Sequence, residues 1–127
     1  MIKPYVLKGE NFNDPESFYR EIYSLMPYLP YENPAPSLDT LNDVLYSSFG
    51  KEEVLLIWKN CDKSKLDLGL EATKQFYQHK LETGKPYNTV WAQQKLKELN
   101  ENQHPTLFEI ICSILEDHKH ITLVLET

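Results

Sequence analysis

The chain has 127 residues, enough to bury a sizeable core within one domain. With 41% hydrophobic and 25% charged residues it has an ordinary globular composition, which excludes an extended disordered chain. The formal net charge of −6 disfavours direct nucleic-acid binding, since clustered Lys and Arg hold phosphate backbones, and favours a basic partner.

Tyr5-Val6-Leu7, stopped by Gly9, predicts a first strand. Asn13-Asp14-Pro15-Glu16 is a helix start, with Asp14 as N-cap, Pro15 at the first helical position and Glu16 near the positive end of the dipole. Phe18, Ile22, Leu25 and Met26 share one stripe, and Pro27 and Pro30 end the helix. Tyr28 to Pro36 is rich in Pro and Tyr and predicts an extended loop with a restricted backbone. Ser37 then caps a second helix with Asp39 in its first turn. Leu38, Leu41, Leu45 and Phe49 form its buried side, and Gly50 ends it. The apolar run from Glu53 to Trp58 predicts a strand covered on both faces.

Asp62 to Gly69 is polar and turn-like. Glu71 to Leu81 predicts a helix with Leu70, Tyr77 and Leu81 on one side, broken by Thr83-Gly84-Lys85-Pro86. Thr89 to Leu99 predicts another, with Ala92, Leu96 and Leu99 inward. Pro105 opens a last helix whose Leu107, Phe108, Ile110, Ile111, Ile114 and Leu115 cover a wide apolar arc. His120 to Glu126 alternates as a final strand. Strands separated by helical stretches imply crossover connections, hence an α/β fold with a three-stranded parallel sheet packed with helices. No linker, repeat or low-complexity stretch divides the chain, so residues 1–127 are expected to form a single domain.

Cys61 and Cys112 have no metal-type spacing and read as free, buried thiols suited to a reducing compartment. The first residues lack a signal-peptide core, and the apolar runs are too short to span a bilayer. A soluble cytoplasmic protein with no membrane contact is the expectation.

The functional signal is a charge asymmetry. From Glu21 to Gly50 there are four acids, Glu21, Glu32, Asp39 and Asp43, and no Lys, Arg or His. Asp39, Asn42, Asp43 and Tyr46 recur at helical spacing, turned away from the Leu38/Leu41/Leu45 side. Two carboxylates one turn apart repel by roughly 0.2–0.5 kcal/mol. The stripe is either a solvated helix face or a surface kept anionic for cations on a partner.

Ser37-Leu38-Asp39-Thr40-Leu41-Asn42-Asp43-Val44-Leu45 resembles the second helix of the barstar family of ribonuclease inhibitors, with its pattern Leu-Asp-x-Leu-x-Asp-x-Leu. Val54-Leu55-Leu56-Ile57-Trp58 is similar to the family's central strand. Phe108 to Leu125 is similar to its last helix and closing strand. The resemblance implies a barstar-like sheet, no catalysis and no cofactor. It also implies inhibition by placing the second helix and its preceding loop in a ribonuclease active site. Asp39 and Asp43 would then pair with cationic groups that otherwise hold RNA phosphate, with Asn42, Tyr46, Tyr31 and Glu32 around them. Removing one partner of such a buried pair costs on the order of 2–5 kcal/mol of affinity.

The chain departs from the family in places. Its loop reads Tyr31-Glu32-Asn33-Pro34-Ala35-Pro36 where the family has Tyr-Tyr-Gly-x-Asn. Asn42 stands where the family has Trp, and Ser113 where it has Glu. A helical insertion over about residues 66–104 has no counterpart in compact members. These changes point to an immunity protein against a different nuclease toxin.

Other features are weaker. Tyr28, Tyr31 and Tyr46 are either interface anchors or tyrosines packed under a loop. His118 and His120 flank a Lys; they read as a solvated turn, since a shared metal lacks a third ligand. Trp58 and Trp91 read as packing residues. Two alternatives remain: an interaction module using the insertion, and a small hydrolase using Asp39 and Asp43 as an acid/base pair. The second suffers because adjacent turns of an exposed helix supply neither a cleft nor unlike environments, and because no GxSxG or HExxH is present.

Overall fold

The computed structural model describes residues 2–127. The elements are β1 (Ile2–Lys8), a 3-10 turn (Gly9–Asn11), α1 (Pro15–Ser24), α2 (Leu38–Val44), β2 (Glu53–Lys59), α3 (Cys61–Asp67), α4 (Leu70–Thr83), α5 (Thr89–Asn100), α6 (Leu107–Asp117) and β3 (Ile121–Leu125). The expected α/β fold with a three-stranded parallel sheet is present. Central β2 pairs with β1 on one side and β3 on the other, Leu56 facing Tyr5 and Leu123. β1 begins earlier than the apolar run implied and includes Pro4, tolerated because an edge strand leaves half its ladder unused. Along β2, Val54, Leu56 and Trp58 are buried while Leu55 and Ile57 are only half-buried. One face is therefore sealed and the other partly covered, less than the continuous run predicted.

Helix α1 starts as its sequence requires. Ser17 N donates to Asp14 Oδ1 at 2.9 Å, and Asp14 N donates back to Ser17 Oγ at 3.2 Å. The Ser17 hydroxyl also donates to Asp14 Oδ1, and this bond, with that from Ser17 N, holds the Asp14 carboxyl below its ordinary range. The helix ends at Ser24, so Leu25 and Met26 lie in the following turn, where Met26 is still buried.

The core is built around Trp58, which is fully buried. The Phe18 ring stacks on it at 5.5 Å, while Phe12 and Phe108 pack at 6.3 and 5.0 Å. Its indole Nε1 donates to Ser64 Oγ at 2.9 Å. Ser64 belongs to α3, a helix where the polar run predicted a turn. Cys61, Ser64 and Leu68 are the buried positions of that stretch, at helical spacing, and Asn60 turns the chain into it with φ +55°. Gly9 lies beneath: a Cβ there would approach Lys59 O to 2.6 Å and Ser64 Oγ to 2.7 Å.

Helices α4 and α5 pack on each other. Tyr77 is buried as expected, but Leu70 is 41% exposed and Thr73 is buried in its place. Tyr77 meets Trp91 at 5.2 Å and His104 at 5.4 Å, and Ala92 and Leu99 fill the gap. Thr73 ties this unit to α6. Its Oγ1 donates to Gly69 O at 2.7 Å and accepts from Leu107 N at 2.8 Å. Phe108 N donates to Leu68 O at 2.9 Å, and Thr106 Oγ1 accepts from Glu109 N at 3.4 Å. The first three amides of α6 are thus satisfied, and the helix opens at Leu107 behind the Thr106 cap rather than at Pro105. Cys61 and Cys112 are free and buried. Among the described residues no helix is long and apolar enough to cross a membrane.

Candidate functional site

Ser37 Oγ accepts from Thr40 N at 3.2 Å and starts α2. Leu41, Val44 and Leu45 are fully buried on one side, which fixes the helix in the core and leaves Asp39, Asn42 and Asp43 exposed on the other. The helix is shorter than expected, ending at Val44 instead of running to Gly50. Ser47 N bonds to Val44 O and Gly50 N to Ser47 O, the tighter three-residue pattern, while Ser48 O is taken by Tyr28 N at 2.9 Å. Ser47 and Ser48 are weak helix formers, so this outside bond prevails. Tyr46 follows the helix and is 69% exposed, with Phe49 still buried.

The preceding loop is held at several points. Tyr23 Oη donates to Ala35 O at 2.8 Å, and the Tyr28 ring lies over Gly50, where a Cβ would approach it to 3.1 Å and a φ of +85° would strain any larger residue. Tyr31 Oη donates to Asp43 Oδ2 at 3.0 Å. That bond, with the carboxylate's charge, pushes the Tyr31 phenol above its ordinary range. Burial raises Tyr19, with repulsion from Tyr23 and Asp39 adding, and lifts Tyr23 to about 12. Loop and helix therefore present Tyr31 and Asp43 as one unit. Glu32 is elsewhere, lining a cleft against Tyr19, Arg20 and Tyr23 of α1.

Among the described residues the charged face has no cation paired to it, because the ion pairs are Lys63–Asp67, Lys65–Asp62 and Lys95–Glu98 and none involves α2. The clefts flanking α1 are lined by residues such as Glu16, Tyr19 and Pro36, not by Asp39 or Asp43, so these carboxylates lie outside both.

His118 is 5% exposed, which corrects the solvated-turn expectation. Its Nε2 lies 2.9 Å from Asn42 Oδ1, and its ring packs edge-on against Tyr46 at 4.6 Å and His120 at 6.0 Å. Burial lowers its pKa, and His120 adds to this while Asp117 opposes it. The sequence held a signal for this burial, though not for the partner: Ile111 and Leu115 of α6 and His118 at its C-cap continue one buried stripe at helical spacing. Among the described residues no cluster of three or more His, Cys, Asp or Glu is placed to hold a metal ion. Tyr28 is 62% exposed beside this face, whereas Trp91 belongs to the α4–α5 packing.

Comparison with protein-family models, with curated proteins and with solved structures gives no match to this chain.

Proposed function

We propose that the chain is a non-enzymatic, barstar-like inhibitor of a basic ribonuclease, an immunity protein that covers a toxin's active site with the exposed face of α2. The observation that carries this reading is the pair Asp39 and Asp43, exposed together on a helix buried along its other side, with no cation among the described residues paired to them. An anionic face without internal partners suits guanidinium and ammonium groups arranged to hold RNA phosphate. The parallel sheet is compatible with the family resemblance, and Tyr31 pre-orients Asp43 for such a pairing. Tyr46 and Asn42 supply further contacts, and Glu32 borders the surface on the α1 side. An immunity protein of this kind works in the cytoplasm, needs no cofactor and does not touch nucleic acid itself.

The test is co-expression with the nuclease encoded beside it. The parent chain should protect the cell, and Asp39→Ala combined with Asp43→Ala should abolish protection while the folded far-ultraviolet spectrum persists. Full protection by the folded double variant would end this reading. A second reading, an interaction module, draws on Val90 and Trp91 of α5, which are 74% and 43% exposed. Capture of a partner other than a nuclease that depends on Val90 and Trp91 would favour it.

A further inference from the structure

The order of the sheet decides where its helices go. β1, β2 and β3 are parallel and lie side by side in chain order. Both crossovers therefore step in the same direction, and right-handed crossovers stepping the same way place their helices on one face. The side chains agree. Phe18 of α1 and Phe108 of α6 both meet Trp58, Ser64 of α3 bonds its indole, and Leu41 of α2 joins the same core. Helix α4 packs on α6 and carries α5. Among the described residues no helix is left for the other face, whereas all-parallel sheets are ordinarily covered on both.

Strand alternation and register lay that open face out in rows. Its two middle rows are Pro4–Leu55–Thr122 and Val6–Ile57–Val124, apolar except for Thr122. Pro4 and Val124 are exposed, and Leu55 and Ile57 are half-buried between the strands that flank them. Glu53 stands in the row before these, at the start of β2. Lys8 and Lys59 form the row after them, with Glu126 following β3 at that end. Glu53, Lys8 and Lys59 are exposed, and among the described residues none is in an ion pair. The face is thus apolar in the middle, with an acid at one end of β2 and a base at the other.

We propose that this face is a homodimer interface, two copies stacking sheet on sheet about a two-fold axis that runs across the strands. The charge polarity selects both the occupant and the axis. Reversing the strand direction sets Glu53 of each copy opposite Lys59 of the other, and Leu55 over Ile57, with β2 lying on β2. A two-fold along the strands would stack Lys59 on Lys59 and Glu53 on Glu53, which like-charge repulsion disfavours. β2 has seven residues, so the face is about 20 Å long. Three strands of that length lie at the small end of specific interfaces, so the dimer is weak and concentration-dependent. Helix α2 belongs to the opposite layer, so Asp39 and Asp43 of both copies still point outward. The inference therefore stands apart from the inhibitor reading.

Sedimentation velocity of the full chain over a dilution series tests it. The mass should rise toward twice the monomer's as concentration increases. Glu53→Lys and Lys59→Glu each place like charges opposite one another and should each weaken association roughly tenfold or more. The Glu53→Lys/Lys59→Glu double variant restores both pairs with the signs exchanged and should recover most of the parent's affinity. Ile57→Lys, with its fold checked by circular dichroism, should abolish the dimer. Should that variant fail to fold, the exposed charge exchange decides alone. A parent chain still monomeric at about 1 mM, where weak interfaces associate, would overturn the proposal. So would a dimer indifferent to both single charge reversals, a double variant as weak as the singles, or a dimer that persists in folded Ile57→Lys. A different protein bound on this face of a chain that stays monomeric would overturn it too.

Discussion

Tyr31 donates its phenolic proton to Asp43 Oδ2 at 3.0 Å, so a loop residue and a helix residue form one exposed polar unit. The bond favours protonated Tyr31 because the phenolate would face a carboxylate without a proton between them. Asp43→Asn should therefore let the Tyr31 phenol ionise at lower pH, toward the ordinary tyrosine value near 10. An absorbance titration of phenolate, with Tyr31→Phe as the assignment control, reads the change. No difference between parent and Asp43→Asn would mean the two side chains do not meet in solution.

Leu41 shares α2 with the aspartates but points the other way and is fully buried. Leu41→Ala leaves a cavity in the core and should cost about 2–5 kcal/mol of folding stability. Asp39→Ala and Asp43→Ala remove exposed side chains and should leave the melting temperature almost unchanged. Thermal unfolding of the three variants separates a helix that holds the fold from a face that meets a partner. A Leu41→Ala protein as stable as the parent would contradict the burial that orients the stripe.

Thr73 joins α4 to α6 through both functions of one hydroxyl. Thr73→Val keeps the shape but leaves Leu107 N buried without its acceptor, at a cost of about 1–3 kcal/mol. Thr73→Ser retains the hydroxyl and should lose less. Denaturant unfolding of the pair tests whether the bond, and not merely the volume, matters.

What the sequence disclosed depended on how local the cause was. The cap at Asp14, the alternation and apolar runs of the strands, and the opposed faces of α2 are set by neighbours within a turn or two, and each was legible. Helix α3 was not, because its polar run hides a buried stripe of only Cys61, Ser64 and Leu68, and its ordering depends on Trp58 and Gly9. The early end of α2 was hidden for the same reason: Tyr28 takes the Ser48 carbonyl from another segment. The Asn42–His118 contact spans 76 positions, so only the fold could pair them. The acidic face was visible; what stands behind it was not.

The pH dependence of stability follows from His118, whose pKa lies below the ordinary imidazole value of 6.5 because it is buried. As pH falls, the unfolded chain takes up the proton first, which favours unfolding. The contribution is complete above the unfolded value and is lost as pH drops through the lowered folded value. Melting temperatures should be flat at neutral pH, then fall on acidification from about 6.5. His118→Gln should remove that part of the slope. Asp14, held below 3.8, adds its own loss only at more acidic pH.

Trp58 offers the most direct test of how the core is closed. Its ring is sealed by Phe12, Phe18 and Phe108, so water cannot reach Nε1, and Ser64 Oγ is its acceptor. Ser64→Ala strands a buried donor and should cost about 1–3 kcal/mol. Trp58→Phe in the same background removes that donor, so the double variant should lose less than the sum of the two single changes. A double-mutant cycle measured by denaturant unfolding gives the coupling directly. Strict additivity would show that the indole does not depend on Ser64. α3 would then be held by the close approach over Gly9 and by the burial of Cys61 and Leu68 alone.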